Sequence, residues 1–277
     1  MKKYLKREGK MYINCHSYFS LRYGTLSEIE LLDLAIKNGI EKLALTDINN
    51  TSACLNFVRR AKEKGIDPVL GVDFRNGIKQ CYVALAQNNI GFLELNNFLS
   101  EHLHEKKSFP DQAPAFKNAV VVYSFEKVLE LDKTQFSDNE FIGIGLKDLR
   151  KLPFSRYSSY RQKLVILHPV SFVNKKDYNV HRLLRAIDTN TLLSKLPEEE
   201  QADANEKMLS ILQLNELFTA FPYILENTQK LLNSCSISFD FSKDRKPQNL
   251  KTMFGTDELD YQKLVDLCEK GLPRRYD

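Results

Sequence analysis

No stretch of this chain approaches the ~20 consecutive apolar residues of a membrane-spanning helix. The basic start, Met1-Lys-Lys-Tyr-Leu-Lys-Arg-Glu-Gly-Lys10, has no apolar run behind it, so neither a membrane segment nor a secretory leader is expected. Cysteines are few and scattered: Cys15, Cys54, Cys81, Cys235 and Cys268 are odd in number and lack CxxC spacing. That pattern excludes a disulfide framework and points to reduced thiols in a cytoplasmic protein. Neither sign of charge dominates: 40 basic against 36 acidic residues leave a net +4, short of the clustered basic excess of an autonomous nucleic-acid binder. Internal repeats and low-complexity tracts are also missing.

What is present fits one large α/β domain, or one domain with appendages, since the 277 residues are 43% hydrophobic and 27% charged. Tyr12 and Ile13 open a strand that runs into the polar turn Asn14-Cys-His-Ser17. Ser27 and Glu30 have the spacing of a capping box, and Ile29, Leu31, Leu32, Leu34, Ala35 and Ile36 supply the buried side of a helix stopped by Gly39. Leu43-Ala-Leu45 reads as a short buried strand. Ala53, Phe57, Val58 and Ala61 share a helix face ended by Gly65, and Pro68-Val-Leu-Gly71 is the next strand. Short apolar runs alternating with helices predict βαβ units and a parallel sheet, with chemistry at the carboxyl ends of the strands.

Further strands are predicted at residues 80–86, 120–123, 141–146 and 164–167, with a helix over 91–103 and a proline-bearing loop over 104–118. Residues 179–235 carry a helical pattern, 236–255 are irregular, and a last helix over 257–270 is expected to stop at Gly271. His16, Asp47 and Asp73 fall at three successive strand ends, where imidazole and carboxylates could converge on a cation such as Zn²⁺ or Mn²⁺. The same residues could instead cap helices or bond loops, and Asp47, followed by Asn49 and Asn50, suits that duty. These residues taken alone leave both readings open.

Residues 12–24, Leu43-Ala-Leu-Thr-Asp47 and Pro68-Val-Leu-Gly-Val-Asp-Phe74 resemble the opening of the PHP (polymerase and histidinol phosphatase) domain. They resemble in particular the version at the N-terminus of bacterial DNA polymerase III alpha subunits. Later phrases extend the likeness: residues 84–92, Leu217-Phe with Pro222, Leu225-Glu-Asn-Thr228, and residues 267–276. The resemblance implies a distorted parallel (β/α)7-type barrel, TIM-barrel-like, with a helical C-terminal portion from about residue 179. It divides the chain into a basic extension (1–10), a barrel domain (11–235), and a segment (236–277) leading toward a polymerase palm that is absent.

The departures from the family pattern bear on the metal site. Asn14-Cys15-His16 replaces the His-x-His pair, Tyr23 an aspartate, Ile48 a histidine, and Cys81 a further histidine. His168-Pro-Val-Ser171 stands where an Asn-Asp-x-His phrase supplies two ligands, so Pro169 and Ser171 also occupy ligand positions. His16, Asp47, Asp73 and His168 remain as vestigial positions. The resemblance therefore implies a degenerate site, with no metal and no catalytic residue expected in this stretch. In the family, degenerate PHP domains are associated with stabilising the polymerase and docking a separate proofreading exonuclease. The expected partners are the rest of the alpha subunit, such an exonuclease, other replisome subunits, and DNA reached through the full protein, whose polymerase site would use Mg²⁺. A free-standing metal-dependent phosphoesterase using His16, Asp47 and Asp73 is the alternative. A module of the polymerase X type fits less well, because there the domain follows the polymerase core and usually keeps its ligands. Arg274 and Arg275 could touch DNA phosphates, although short charge runs are usually solvated surface. His102 and His104, two apart on a helix, are expected to point to different sides, and His181 is expected to pack or cap rather than ligate.

Overall fold

A computed structural model describes residues 11–242 and 252–276; the basic extension at 1–10 lies outside the described residues. Seven strands form one sheet in chain order: β1 (Met11–Cys15), β2 (Lys42–Leu45), β3 (Asp67–Asn76), β4 (Lys79–Ala86), β5 (Ala119–Ser124), β6 (Glu140–Ile144) and β7 (Leu164–Ile166). The sheet curls into a half-barrel. Past β7, Val170 bridges back to Cys15 beside β1, with His16 N–H donating to the Val170 carbonyl at 2.8 Å.

The α/β class is as the pattern indicates, and β1–β3 and β5–β7 pair in parallel. The exception is β4, which runs antiparallel to both neighbours. The cause is local. Only Gly77 and Ile78 separate β3 from β4, and a two-residue connection can join only antiparallel strands. Gly77 supplies the positive φ (63°) that such a turn needs.

Helices α1 (Glu28–Lys37), α2 (Cys54–Glu63), α3 (Asn89–Glu105) and α4 (Phe125–Glu130) connect the first strands. The α1 capping box forms as the Ser27/Glu30 spacing predicts, each side chain bonding the other's backbone N–H. Leu31, Leu32 and Ala35 are buried, whereas Ile29 and Ile36 are exposed, so the apolar face is narrower than the sequence suggests. Gly39 and Gly65 each end a helix at positive φ.

Alternation along the strands sorts side chains onto two faces. Leu43, Leu45, Leu70, Tyr82 and Ala84 share a core with Leu31, Phe57, Leu95 and Val128 of the covering helices. On the inner face Ile13, Ala44, Val69, Val83, Leu85, Val122 and Val165 pack with Leu231, Leu232 and Cys235 around α7 (Pro222–Asn233).

The region expected to carry a helical pattern, 179–235, contains three helices and a long irregular stretch. Between α5 (Lys175–Asp188) and α6 (Ile211–Leu217) lies a long connection with only short 3₁₀ turns. Residues up to Phe239 form one compact unit and those from Asp240 a second. The second contains α8 (Asp257–Arg275), none of whose residues is buried. This helix runs through Gly271 and Pro273 instead of stopping. A helical glycine costs only about 1 kcal/mol, whereas Pro273 forgoes its bond to the carbonyl four residues back and crowds it, at a cost of about 3 kcal/mol, so nothing in local propensity explains the extra turn. All five cysteines are free thiols. Among the described residues no helix is long and apolar enough to cross a membrane.

Candidate functional site

Polar residues that follow β1 and β7 meet the inner face of β3 at one mouth of the half-barrel. His16 follows β1 directly and is fully buried. Its Nε2 lies 3.0 Å from Asp73 Oδ2, and its Nδ1 lies 2.9 Å from Ser171 Oγ. Ser171 Oγ donates in turn to Glu206 Oε2 at 2.6 Å. Asp73 is not at a strand end. It sits within β3, two positions beyond Gly71 and four beyond Val69, paired with Val83 of β4.

Two residues further along β3, Arg75 reaches back to the same carboxylate. Its Nη2 and Nε donate to Asp73 Oδ2 at 2.7 and 3.1 Å, and Gln80 Nε2 donates to Oδ1 at 2.9 Å. Burial pushes the Asp73 carboxyl up, but the Arg75 charge and the His16 hydrogen bond outweigh it and bring the pKa down to about 2. Burial likewise works against charge on Arg75, and Asp73, Tyr23 and Glu206 reverse the effect, raising its pKa. The Arg75 guanidinium lies 4.8 Å from the centre of the Tyr23 ring, in cation–π contact. Tyr23 Oη is 3.5 Å from both Glu206 carboxylate oxygens, and burial and Glu206 raise its pKa.

Asp47 serves neither as a helix cap nor as part of this group. Its Oδ1 accepts from the Ser17 amide (2.6 Å) and Ser20 Oγ (2.7 Å), and its Oδ2 from Ser17 Oγ (2.7 Å), which ties down the loop after β1. Burial raises its pKa against the opposing effect of those hydrogen bonds. His168 is spent elsewhere too, with Nε2 donating to the Lys207 carbonyl at 2.8 Å. Burial lowers its pKa.

Of the other positions singled out in the sequence, Asn14 is buried, with Oδ1 accepting from Thr46 Oγ1 at 2.7 Å. Ile48 packs with Tyr23, Phe172, Ala202 and Tyr178. Pro169 lines the same cleft as Asn14 and His168, about 840 Å³ in volume. Cys81 belongs to the outer core. A β-bulge explains this: pairing steps from Phe74–Tyr82 to Arg75–Gln80, skipping Cys81 and delivering Gln80 to the inner face one residue early.

His181 is satisfied on both nitrogens, Nδ1 donating to the Tyr23 carbonyl at 2.8 Å and Nε2 accepting from the Ala202 amide at 2.9 Å. His102 is not a plain surface residue: it is half-buried, stacked on Phe109, and bonded to the Phe98 carbonyl, while His104 is exposed. Arg274 and Arg275 are exposed in the last turn of α8, where cations suit the helix dipole.

Three residues of the mouth escaped the sequence reading. Arg75 had a signal, since residues two apart on a strand share a face and Asp73 was already marked. Gln80 is visible only once the bulge is known. Glu206 lies in an irregular loop far along the chain and carries no local sign.

A cation bound here would need several lone pairs converging with defined geometry. Among the described residues, no group of three His, Cys, Asp or Glu side chains is placed to share one. The Asp73 oxygens are occupied by His16, Arg75 and Gln80, and a guanidinium stands where positive charge would be delivered. These residues do not fit a polynuclear metal centre.

The PHP domain family matches residues 13–162. The DNA polymerase III alpha subunit of Bacillus subtilis is 24% identical over 96% of this chain and 26% of its own length. That of Ureaplasma parvum is 25% identical over 95% of this chain and 24% of its own. The chain thus spans about a quarter of the length of the curated relatives it matches. A solved structure from Bifidobacterium adolescentis, provisionally named a metal-dependent phosphoesterase, aligns over 77% of this chain and 96% of its own. The identity is 12% and the TM-score 0.32, a likeness too loose to carry argument.

Proposed function

The chain belongs to the PHP domain family, and from that premise we propose that it acts as a structural and docking module of a replicative DNA polymerase alpha subunit. One observation carries the reading: the buried Asp73 carboxylate, a position the family would give to a metal, is bonded instead by Arg75, His16 and Gln80. Hydrolysis of a phosphate ester by metal-activated water needs a cation held with an open coordination position. Here the donor atoms face inward and bind one another.

In this reading DNA synthesis belongs to the palm of the full protein with its own Mg²⁺, and DNA is reached through that larger chain. The rest of the subunit and a proofreading exonuclease are the partners to look for. Relatedness to the N-terminal region of polymerase III alpha subunits over nearly the whole chain supports that context.

The test is metal analysis of the purified protein after exposure to Zn²⁺ and Mn²⁺, with 3′–5′ exonuclease and phosphomonoesterase assays. The expected result is no stoichiometric metal and no turnover, together with co-purification of a 3′–5′ exonuclease subunit when the two are co-expressed. Tightly bound metal accompanied by hydrolysis would overturn the proposal. Absence of binding to the exonuclease would remove the docking role.

A further inference from the structure

We propose that Arg75 is a tethered counter-ion: its guanidinium supplies the mouth of the half-barrel with the positive charge and the cross-linking that a bound metal would otherwise give. The inference rests on the metal-free reading above but not on docking.

Arg75 bonds its strand neighbour Asp73, and two distant segments of the chain close over the pair, Tyr23 in direct contact with the guanidinium and Glu206 through Tyr23. Asp73 of β3 receives two of the Arg75 N–H groups, at 2.7 and 3.1 Å. Tyr23, from the loop between β1 and α1, lies beneath the guanidinium plane at 4.8 Å. Glu206, from the connection between α5 and α6, meets the same Tyr23 through its carboxylate and feels the Arg75 charge. Glu206 also holds that connection to the sheet, because its carbonyl accepts the Ser171 and Phe172 amides. The group lies in the wall of the 840 Å³ cleft and is largely withdrawn from solvent, with Asp73 fully buried and Arg75 and Glu206 only 7% and 8% exposed.

Asp73, fully buried and with a second carboxylate nearby in Glu206, needs compensating charge at close range. A metal ion would bind the carboxylates by coordination and could be stripped by a chelator. A guanidinium cannot dissociate and stays charged at any physiological pH. Its planar fork meets a carboxylate oxygen while its face remains available to an aromatic ring. A lysine could supply the charge and N–H donors, but from one nitrogen on a flexible stem, without the fixed planar fork or a flat face for the ring.

This role predicts a coupling that a packing role would not. Removing Arg75 alone strands a buried carboxylate, whereas removing the Asp73 charge as well relieves the defect. The experiment compares thermal unfolding of the wild type, Arg75→Met, Asp73→Asn, the double variant and Arg75→Lys, each with and without EDTA. The melting midpoint of Arg75→Met should fall by about 10 °C. The double variant should recover at least half of that loss, and Arg75→Lys should fall between Arg75→Met and wild type. EDTA should leave the wild type unchanged.

If Arg75→Met does not fold, the double variant decides: a folded double supports the proposal and an unfolded one overturns it. Losses from Arg75→Met and Asp73→Asn that simply add, with EDTA still without effect, overturn the counter-ion role and leave the metal-free reading standing. A wild-type midpoint that drops on chelation overturns both.

Discussion

Two regions of the same curled sheet solve burial in opposite ways. On the inner face Val69, Val83, Leu85, Val122 and Val165 fill the space with hydrocarbon against Leu231 and Leu232. At the mouth, a few residues further along β3 and β4, Asp73, Arg75 and Gln80 fill it with charge and hydrogen bonds. Apolar packing needs only volume and tolerates similar substitutes. The mouth needs every donor matched to an acceptor, so losing one member strands the others. A polar pocket built to grip cations does not become an apolar core when its ligands are replaced. It must balance its remaining charges internally.

The largest effect should come from breaking that balance. Asp73→Ala leaves Arg75 buried without its carboxylate and is expected to cost about 3–5 kcal/mol in urea unfolding. Leu85→Ala, on the apolar side, should cost about 3 kcal/mol by cavity formation and show no dependence on pH.

Acid sharpens the contrast. The Asp73 pKa lies at about 2, below its ordinary 3.8, so its stabilising contribution is complete above the ordinary value and lost as pH falls through about 2. That contribution is on the order of 2 kcal/mol. Asp47 acts the other way: with its pKa raised by burial, its contribution is greatest in acid and declines as pH rises through its folded value. Thermal melts over an acid series should therefore show a smaller loss in Asp73→Asn than in the wild type. The smallest change should follow from a site in neither region: Ser27→Ala, which removes the α1 cap, is expected to cost about 1 kcal/mol by the same urea measurement.

Much of the first part of the fold was legible because local rules and tertiary structure agree there. The Ser27/Glu30 box, Gly39, Gly65 and the short apolar runs that became β1, β2 and β3 each carry a physical signal in a few residues. His16 and Asp73 were marked as neighbours and do meet, at 3.0 Å. Asp47 was marked with them, but its choice of Ser17 and Ser20 depends on how the loop after β1 folds back. The reversal of β4 was hidden, since a strand pattern does not show direction and the significance of Gly77-Ile78 emerges only when both flanking strands are known. The bulge that exchanges Cys81 for Gln80 depends on register between strands. Glu206 is brought in by long-range closure, which no window of sequence contains.

That hairpin has one more consequence. Because the chain doubles back at Gly77, an acid, its guanidinium partner and an amide that steadies them all lie within eight positions of one another. Their meeting closes a very short loop and so costs little chain entropy. The carboxylate and its balancing charge thus travel on one small piece of backbone, so they can enter the dry interior as a neutral package before distant strands come together.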